Sequence, residues 1–228
     1  MKPTSAPILP TTELPTTDDS IFASHAPNIQ TMLTRKELRA QVRQSRRALS
    51  SEAQMEFALQ ASKLAFNLIQ KRSAKRVALY LTNDGELDTK PLIEALWQDE
   101  IEVYLPRLHP FSAGNLIFLA YKPNSIMTKN SLGIWEPKLD IRNMRCTSEI
   151  DLVITPLVAF DNEGNRMGMG GGFYDRTLAN WQTSGRPFPV GYAHDCQRVE
   201  TLAIEHWDVP LPMIITPTQV YNHKISIT

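Results

Sequence analysis

Apolar positions along this chain recur in two rhythms, one of three to four residues and one of short unbroken runs. Thr34-Arg-Lys-Glu37 sets a hydroxyl and a carboxylate three apart, a capping box that opens a basic helix running to about Leu49. Ser51-Glu-Ala-Gln54 repeats the device. Met55, Leu59, Ser62, Phe66 and Ile69 then recur at helical spacing, which predicts one core-facing stripe on a second helix. Arg76–Leu81 reads as a strand, Asp84-Gly85 as a turn and Thr89–Trp97 as the next helix. Glu102–Leu105 and Leu116–Ala120 read as strands, whereas the rest of Pro106–Ile150, including Gly133–Pro137, reads as irregular. The apolar run Asp151–Phe160 predicts a buried strand, with two more at Pro189–Tyr192 and Met213–Ile215.

Strands alternating with helices predict an α/β fold in which a mostly parallel sheet is covered on both faces. The order of the strands is not legible from this pattern, and no internal repeat is present. A chain of 228 residues suits one domain with a sizeable core. Residues 1–31 break the pattern: they are rich in Pro, Thr and Ser, and carry Glu13, Asp18 and Asp19 against Lys2 alone. They match neither a secretory signal nor an organelle presequence. The expectation is a disordered extension over 1–31 and a single folded domain over 32–228.

Charge narrows the classes. Lys plus Arg and Asp plus Glu number 24 each, so no global field draws nucleic acid or an anionic membrane. The basic helix, with Arg35, Lys36, Arg39, Arg43, Arg46 and Arg47, comes without a nucleic-acid-binding motif, and a solvated charged face is its plain alternative. No apolar stretch approaches the roughly 20 residues that span a bilayer. Cys146 and Cys196 lack a CxxC or nearby histidines, which predicts free thiols in a reducing cytoplasm. The five histidines are scattered, a poor pattern for zinc.

The chemistry concentrates in Arg166-Met-Gly-Met-Gly-Gly-Gly-Phe-Tyr-Asp-Arg176. Four glycines in five positions let the backbone take φ > 0 and approach a ligand closely. The buried strand before the loop and a helix predicted over Phe173–Trp181 would present free N–H groups and a positive dipole end to an anion. Arg166 and Arg176 bracket the loop, and Asp175 lies where a carboxylate could face a cation. Phosphate with its metal is the natural guest. A P-loop is excluded because no lysine lies between Lys138 and Lys224. The Rossmann pattern fails because Asp161-Asn-Glu-Gly164-Asn, itself a turn signal, separates strand from glycines. A glycine-rich surface turn is the bland alternative, although a mere turn needs no flanking arginines and aspartate.

The string from Gly164 to Arg176 resembles the signature of 5-formyltetrahydrofolate cyclo-ligases, also called methenyltetrahydrofolate synthetases, in their proteobacterial form. Arg35-Lys-Glu-Leu-Arg39, Gly85-Glu-Leu-Asp88 and Trp207-Asp-Val-Pro-Leu211 extend the likeness in order from about Thr34 to about Val220. The resemblance implies a three-layer α/β sandwich and a nucleotide site. ATP would be held by Arg35, Lys36, Glu37, Leu38 and Arg39 and by the loop Arg166, Met167, Gly168, Met169, Gly170, Gly171, Gly172, Phe173 and Tyr174. It implies folate contacts at Leu81 and Glu86, catalytic roles for Arg166 and Asp175, and Mg²⁺ associated with Asp175 and Asp208. Two hard carboxylate oxygens plus phosphates suit that ion. Some members carry a basic residue where Met169 stands, and methionine cannot supply that contact.

The implied reaction is ATP-dependent closure of 5-formyltetrahydrofolate to 5,10-methenyltetrahydrofolate. The implied enzyme is a cytoplasmic monomer acting on small molecules, with no nucleic-acid or membrane partner. Two other classes stay open on the residues: a nucleotide- or folate-binding regulator without turnover, and a sugar-phosphate isomerase that needs an acid/base carboxylate and no ATP.

Overall fold

The structure is a computed structural model that describes residues 33–225; the expectation for residues 1–31 lies outside the described residues. The helices are α1 (Arg35–Arg47), α2 (Ser51–Lys71), α3 (Lys90–Gln98), α4 (Phe173–Leu178) and α5 (Trp181–Ser184). The first strands are β1 (Arg76–Ala78), β2 (Glu102–Leu108), β3 (Leu116–Ala120), β4 (Met127–Lys129), β5 (Trp135–Pro137) and β6 (Met144–Arg145). They are followed by β7 (Leu152–Pro156), β8 (Ala159–Phe160), β9 (Arg166–Met167), β10 (Phe188–Tyr192), β11 (Met213–Ile215) and β12 (Val220–Asn222).

Eight of these strands form one sheet in the order β12-β11-β10-β7-β1-β2-β3-β6. Its centre, β11-β10-β7-β1-β2, is parallel throughout, and β12, β3 and β6 add antiparallel pairings at the two edges. Strand side chains alternate between faces, as a period of two requires. Val77, Val103, Leu152, Ile154 and Val190 pack with Ala58, Ala61, Ala65 and Ile69 of α2 and Leu92 and Leu96 of α3. Ala78, Tyr104, Val153 and Ile214 pack on the opposite face with Leu178 of α4. Each fully buried Leu, Ile or Val contributes about 1.5–3 kcal/mol relative to exposure, so these two layers hold the mostly parallel sheet between its helices. The sequence expectation of a helix-flanked, mostly parallel sheet is met.

α1 opens with the predicted capping box, Thr34 Oγ1 accepting from the Glu37 amide while Glu37 accepts from the Thr34 amide. Leu38 and Val42 then seat it on Val158, Ala159, Met167 and Leu202. Val158 and Ala159 follow β7 directly, so α1 lies at the carboxyl end of the sheet.

Four local expectations change. The buried face of α2 is Ala58, Ala61, Ser62, Ala65 and Ile69, whereas Met55 and Leu59 of the predicted stripe are exposed. Close contact with α3 and the sheet selects the small alanines, and a hydrophobicity pattern favours the larger side chains. The cap of α2 is Ser50, one residue before the predicted Ser51 box. The segment Pro106–Ile150 is more ordered than predicted, since β2 continues to Leu108 and Met127–Lys129 pairs with Trp135–Pro137. The long run Asp151–Phe160 is divided: β7 stays in the main sheet, and β8 leaves it to pair with β9, with one further bridge from Phe160 to Arg198.

Candidate functional site

The carboxyl ends of β1 and β7 release the two segments that build the site, the position where an open α/β sheet places ligands. After β7 the chain enters the β8–β9 hairpin, whose turn is organised by buried Asp161, an acceptor for the amides of Glu163, Asn165 and Leu202. Arg166 therefore stands on β9, ahead of the glycines, with its side chain 3% exposed. It donates to Asp175 Oδ1 at 2.7 Å and to the Val209 carbonyl. Burial lowers the guanidinium's proton affinity, and the neighbouring carboxylates Asp175 and Asp208 act in the opposite direction.

The loop that follows runs with φ +100° at Gly170 and +65° at Gly172, conformations that L side chains rarely adopt. Among the described residues, no hydrogen bond is donated by the amides of Gly170, Gly171 or Gly172. The carbonyl of Gly168 is held by Arg39 Nε at 2.8 Å, and that of Gly171 by Arg176. The predicted helix Phe173–Trp181 is broken into α4, of six residues, and α5, of four. A single turn and a half carries little dipole, so the loop's own amides are the principal anion donors.

Two cavities meet at this loop. One, of about 1110 Å³, is polar and includes Asp175, Arg176, Trp207 and Asp208 in its lining. The other, of about 530 Å³, is mainly apolar, with Leu81, Leu105, Trp135 and Tyr174 in its walls and Glu86 and Arg166 among its few charges. Gly171, Gly172 and Asp175 line both. Burial raises the Tyr174 hydroxyl's pKa, so it stays protonated.

Arg35 reaches from α1 to Asp208, with Nη1–Oδ2 at 2.6 Å and Nη2–Oδ1 at 3.2 Å. The Asp208 hydrogen bond raises its pKa against the effect of burial. The structure thus brings Arg35, Arg39, the glycine loop, Asp175 and Asp208 together. None of Arg35, Lys36, Glu37, Leu38 and Arg39 lines either cavity: Arg35 and Arg39 reach the site through Asp208 and the Gly168 carbonyl, whereas Glu37 is used in the cap and Leu38 in packing. Met169 is exposed and borders the apolar cavity beside Gly168.

Among the described residues, no group of three or more His, Cys, Asp or Glu side chains is placed to hold a metal. Two carboxylates on one cavity wall are nevertheless compatible with Mg²⁺, which takes one or two protein oxygens beside phosphates and water. Asp175 Oδ2 carries no hydrogen bond among the described residues, and Asp208 Oδ1 carries only the longer Arg35 bond. Each retains a lone pair for a hard cation.

Glu86 enters the site after β1 on the turn Asp84-Gly85. Its own Oε2 accepts from the Asn83 amide at 3.2 Å. Burial pushes its carboxyl up to about 7, with Arg46 pulling in the other direction. Sequence reading missed what fixes that turn. Asp84, at φ +55°, accepts from Arg43 at 2.7 Å, from fully buried Arg46 at 2.8 Å and from Arg47. Arg46 also donates to the Asp84 carbonyl and lines the apolar cavity. The available signal was the spacing of Arg43, Arg46 and Arg47, which share one helix face.

Comparison with known proteins now separates the alternatives. A model described as the 5-formyltetrahydrofolate cyclo-ligase family matches residues 31–217. The chain belongs to this family. It is 56% identical over 181 residues to the 5-formyltetrahydrofolate cyclo-ligase of Escherichia coli K12, a match covering 79% of this chain and 99% of the relative. The Haemophilus influenzae cyclo-ligase is 51% identical over 177 residues, covering 78% and 94% respectively. In structure the chain resembles the Aquifex aeolicus 5,10-methenyltetrahydrofolate synthetase, with a TM-score of 0.72, 28% identity and coverage of 86% and 96%. The family match runs through all four motifs, the whole lining of the apolar cavity and the Asn162–Pro210 part of the polar one. Among the described residues no helix is long and apolar enough to cross a membrane.

Proposed function

We propose that this chain closes 5-formyltetrahydrofolate to 5,10-methenyltetrahydrofolate with ATP and Mg²⁺, releasing ADP and phosphate. The observation that carries the reading is the shared wall: Gly171, Gly172 and Asp175 border both the polar and the apolar cavity. A phosphoryl donor and a flat, largely apolar acceptor can meet across such a wall. The family's description names the folate, and the unpartnered loop amides beside Asp175 and Asp208 support ATP as the guest of the polar cavity.

A formamide oxygen is a poor leaving group as hydroxide. Transfer of the γ-phosphoryl group forms an O–P bond at that oxygen and releases ADP. N10 then attacks the activated formyl carbon, N10 loses its proton, and the C–O bond breaks as phosphate leaves. The protein's work is alignment and charge neutralisation. The free amides of Gly170–Gly172 receive phosphate oxygens, and Arg35 and Arg39 offset the nucleotide's charge. Arg166 keeps Asp175 in place from beneath. Asp175 and Asp208 would hold Mg²⁺, which neutralises developing charge on the phosphates when bound. Leu81 and Tyr174 shape the pterin's apolar seat, and Glu86 accepts from its N–H donors. The small-molecule chemistry requires no macromolecular partner, in keeping with a cytoplasmic monomer.

The test is spectroscopic. Incubation with 5-formyltetrahydrofolate, Mg²⁺ and ATP should generate the methenyl chromophore, and omission of ATP should abolish it. A chain that binds both ligands and yields no chromophore is a regulator instead.

A further inference from the structure

Arg176 closes the glycine-rich segment and takes no part in the chemistry above, yet its guanidinium joins two distant pieces of backbone. Nε donates to the carbonyl of Gly114, 62 residues away in the β2–β3 turn, at 2.6 Å. Nη2 donates to the carbonyl of Gly171. The charged plane lies 5.8 Å above the ring of Phe173.

Both walls of this seat are glycine. A Cβ at Gly114 would stand 2.5 Å from Arg176 Nη2, and one at Gly172 would stand 2.8 Å from Nη1. Neither position admits a side chain while the guanidinium stays where it is. At both positions the guanidinium adds a steric demand for glycine to the one already set by φ, +80° at Gly114 and +65° at Gly172.

The consequence for the loop follows from peptide geometry. A carbonyl oxygen turned towards a polyphosphate repels it, whereas an amide attracts it. The Gly171–Gly172 peptide is planar and trans, so fixing its oxygen on Arg176 sets its N–H on the opposite side. That N–H is unpartnered among the described residues, as are those of Gly170 and Gly171. A segment this rich in glycine loses much conformational freedom when it is ordered. An anchor to the β2–β3 turn meets part of that cost before the nucleotide arrives.

We propose that Arg176 is a positioning residue, which, anchored on Gly114, holds the Gly171–Gly172 peptide with its N–H available to the nucleotide's phosphates. The proposal rests on the cyclo-ligase reading. It makes the β2–β3 turn, which contributes no group to the chemistry, a determinant of ATP affinity.

Calorimetric titration of the full chain with a non-hydrolysable ATP analogue, and separately with 5-formyltetrahydrofolate, reads this without turnover. Arg176→Met should weaken the analogue on the order of tenfold, with folate affinity within about twofold of the parent. Arg176→Lys should recover only part, because an ammonium lacks the planar fork that holds two carbonyls together. Gly114→Val, remote from every proposed substrate contact, should reproduce the analogue defect, because its Cβ evicts the guanidinium and its φ of +80° strains the turn that anchors it. The double variant Gly114→Val/Arg176→Met should be no weaker than Arg176→Met alone. Unchanged analogue affinity in Arg176→Met overturns the proposal. So does an equal loss for both ligands with a lowered melting temperature, the mark of a merely structural role. An intact analogue pattern without methenyl formation by the parent chain refutes the cyclo-ligase reading and leaves the loop-positioning role standing.

Discussion

Asp175 Oδ1 lies 2.7 Å from Arg166 Nη2 and also accepts from the Val209 amide at 3.3 Å. One oxygen of this carboxylate is engaged in fixing a buried arginine, while the other is free of hydrogen bonds among the described residues. The side chain therefore has a structural half and a chemical half, at the wall that the two cavities share.

Asp175→Asn tests that division. The amide oxygen can still accept from Arg166, so the fold should persist with a circular dichroism spectrum like the parent's. Loss of the negative charge at the metal-phosphate side should lower kcat on the order of 10²-fold or more. Steady-state kinetics at saturating Mg²⁺ decide it, and an unchanged kcat removes Asp175 from the reaction.

Arg35 and Arg39 lie four residues apart on one face of α1, tied to Asp208 and to the Gly168 carbonyl respectively. Their alanine variants should raise the KM for ATP more than the KM for 5-formyltetrahydrofolate. A selective folate defect would show that this helix face serves the other cavity.

The ATP-side predictions rest on residues that the sequence already singles out, and the reason is chemical. Gly170, Gly172, Asp175 and the Thr34–Glu37 cap each express a local requirement of backbone or charge, so they are legible in a short window. The misreadings are tertiary. The inward face of α2 is decided by how closely α3 and the sheet approach, which favours Ala58, Ala61 and Ala65 over Met55 and Leu59. Nothing local to Asp84 announces its three arginines, because they come from a helix 37 to 41 residues earlier. The break between α4 and α5 falls at Ala179-Asn180, where the apolar spacing of Leu178 and Trp181 continues across the gap.

Asp84→Asn should reveal how firmly α1 holds the pterin-side turn. Burial raises this carboxyl, but hydrogen bonds from Arg43, Arg47 and Arg46 outweigh it and bring the value down to about 2. A depressed folded-state value contributes stability that is present above the ordinary carboxylate range and lost as pH falls through about 2. Denaturant unfolding at neutral pH should show the variant weaker by roughly 2–3 kcal/mol. The difference from the parent should shrink as the solution is acidified into that window. A pH-independent difference would mean that the charge on Asp84 is not what binds the turn.

Glu86 carries the opposite sign. Burial raises its carboxyl to about 7, with Arg46 offsetting part of the effect. For an acid whose folded-state value is raised, stability is greatest where both states are protonated and declines as pH climbs from the ordinary range to about 7, beyond which it levels off. Glu86→Gln removes the ionisation, so the variant should lose this decline and gain stability relative to the parent above about 7. Folate binding should move the other way. The ionised carboxylate accepts from adjacent pterin N–H donors, whereas the amide presents a donor to one of them, a mismatch worth roughly 1–3 kcal/mol in a desolvated pocket. Parent affinity for 5-formyltetrahydrofolate should therefore strengthen as pH rises through about 7, and that inflection should be absent in Glu86→Gln. Affinity for a non-hydrolysable ATP analogue should stay nearly constant in both. Calorimetric titrations below and above that pH, paired with thermal unfolding, measure both arms. A variant that gains stability and keeps full folate affinity would show Glu86 to be a buried loop carboxylate with no hold on the pterin.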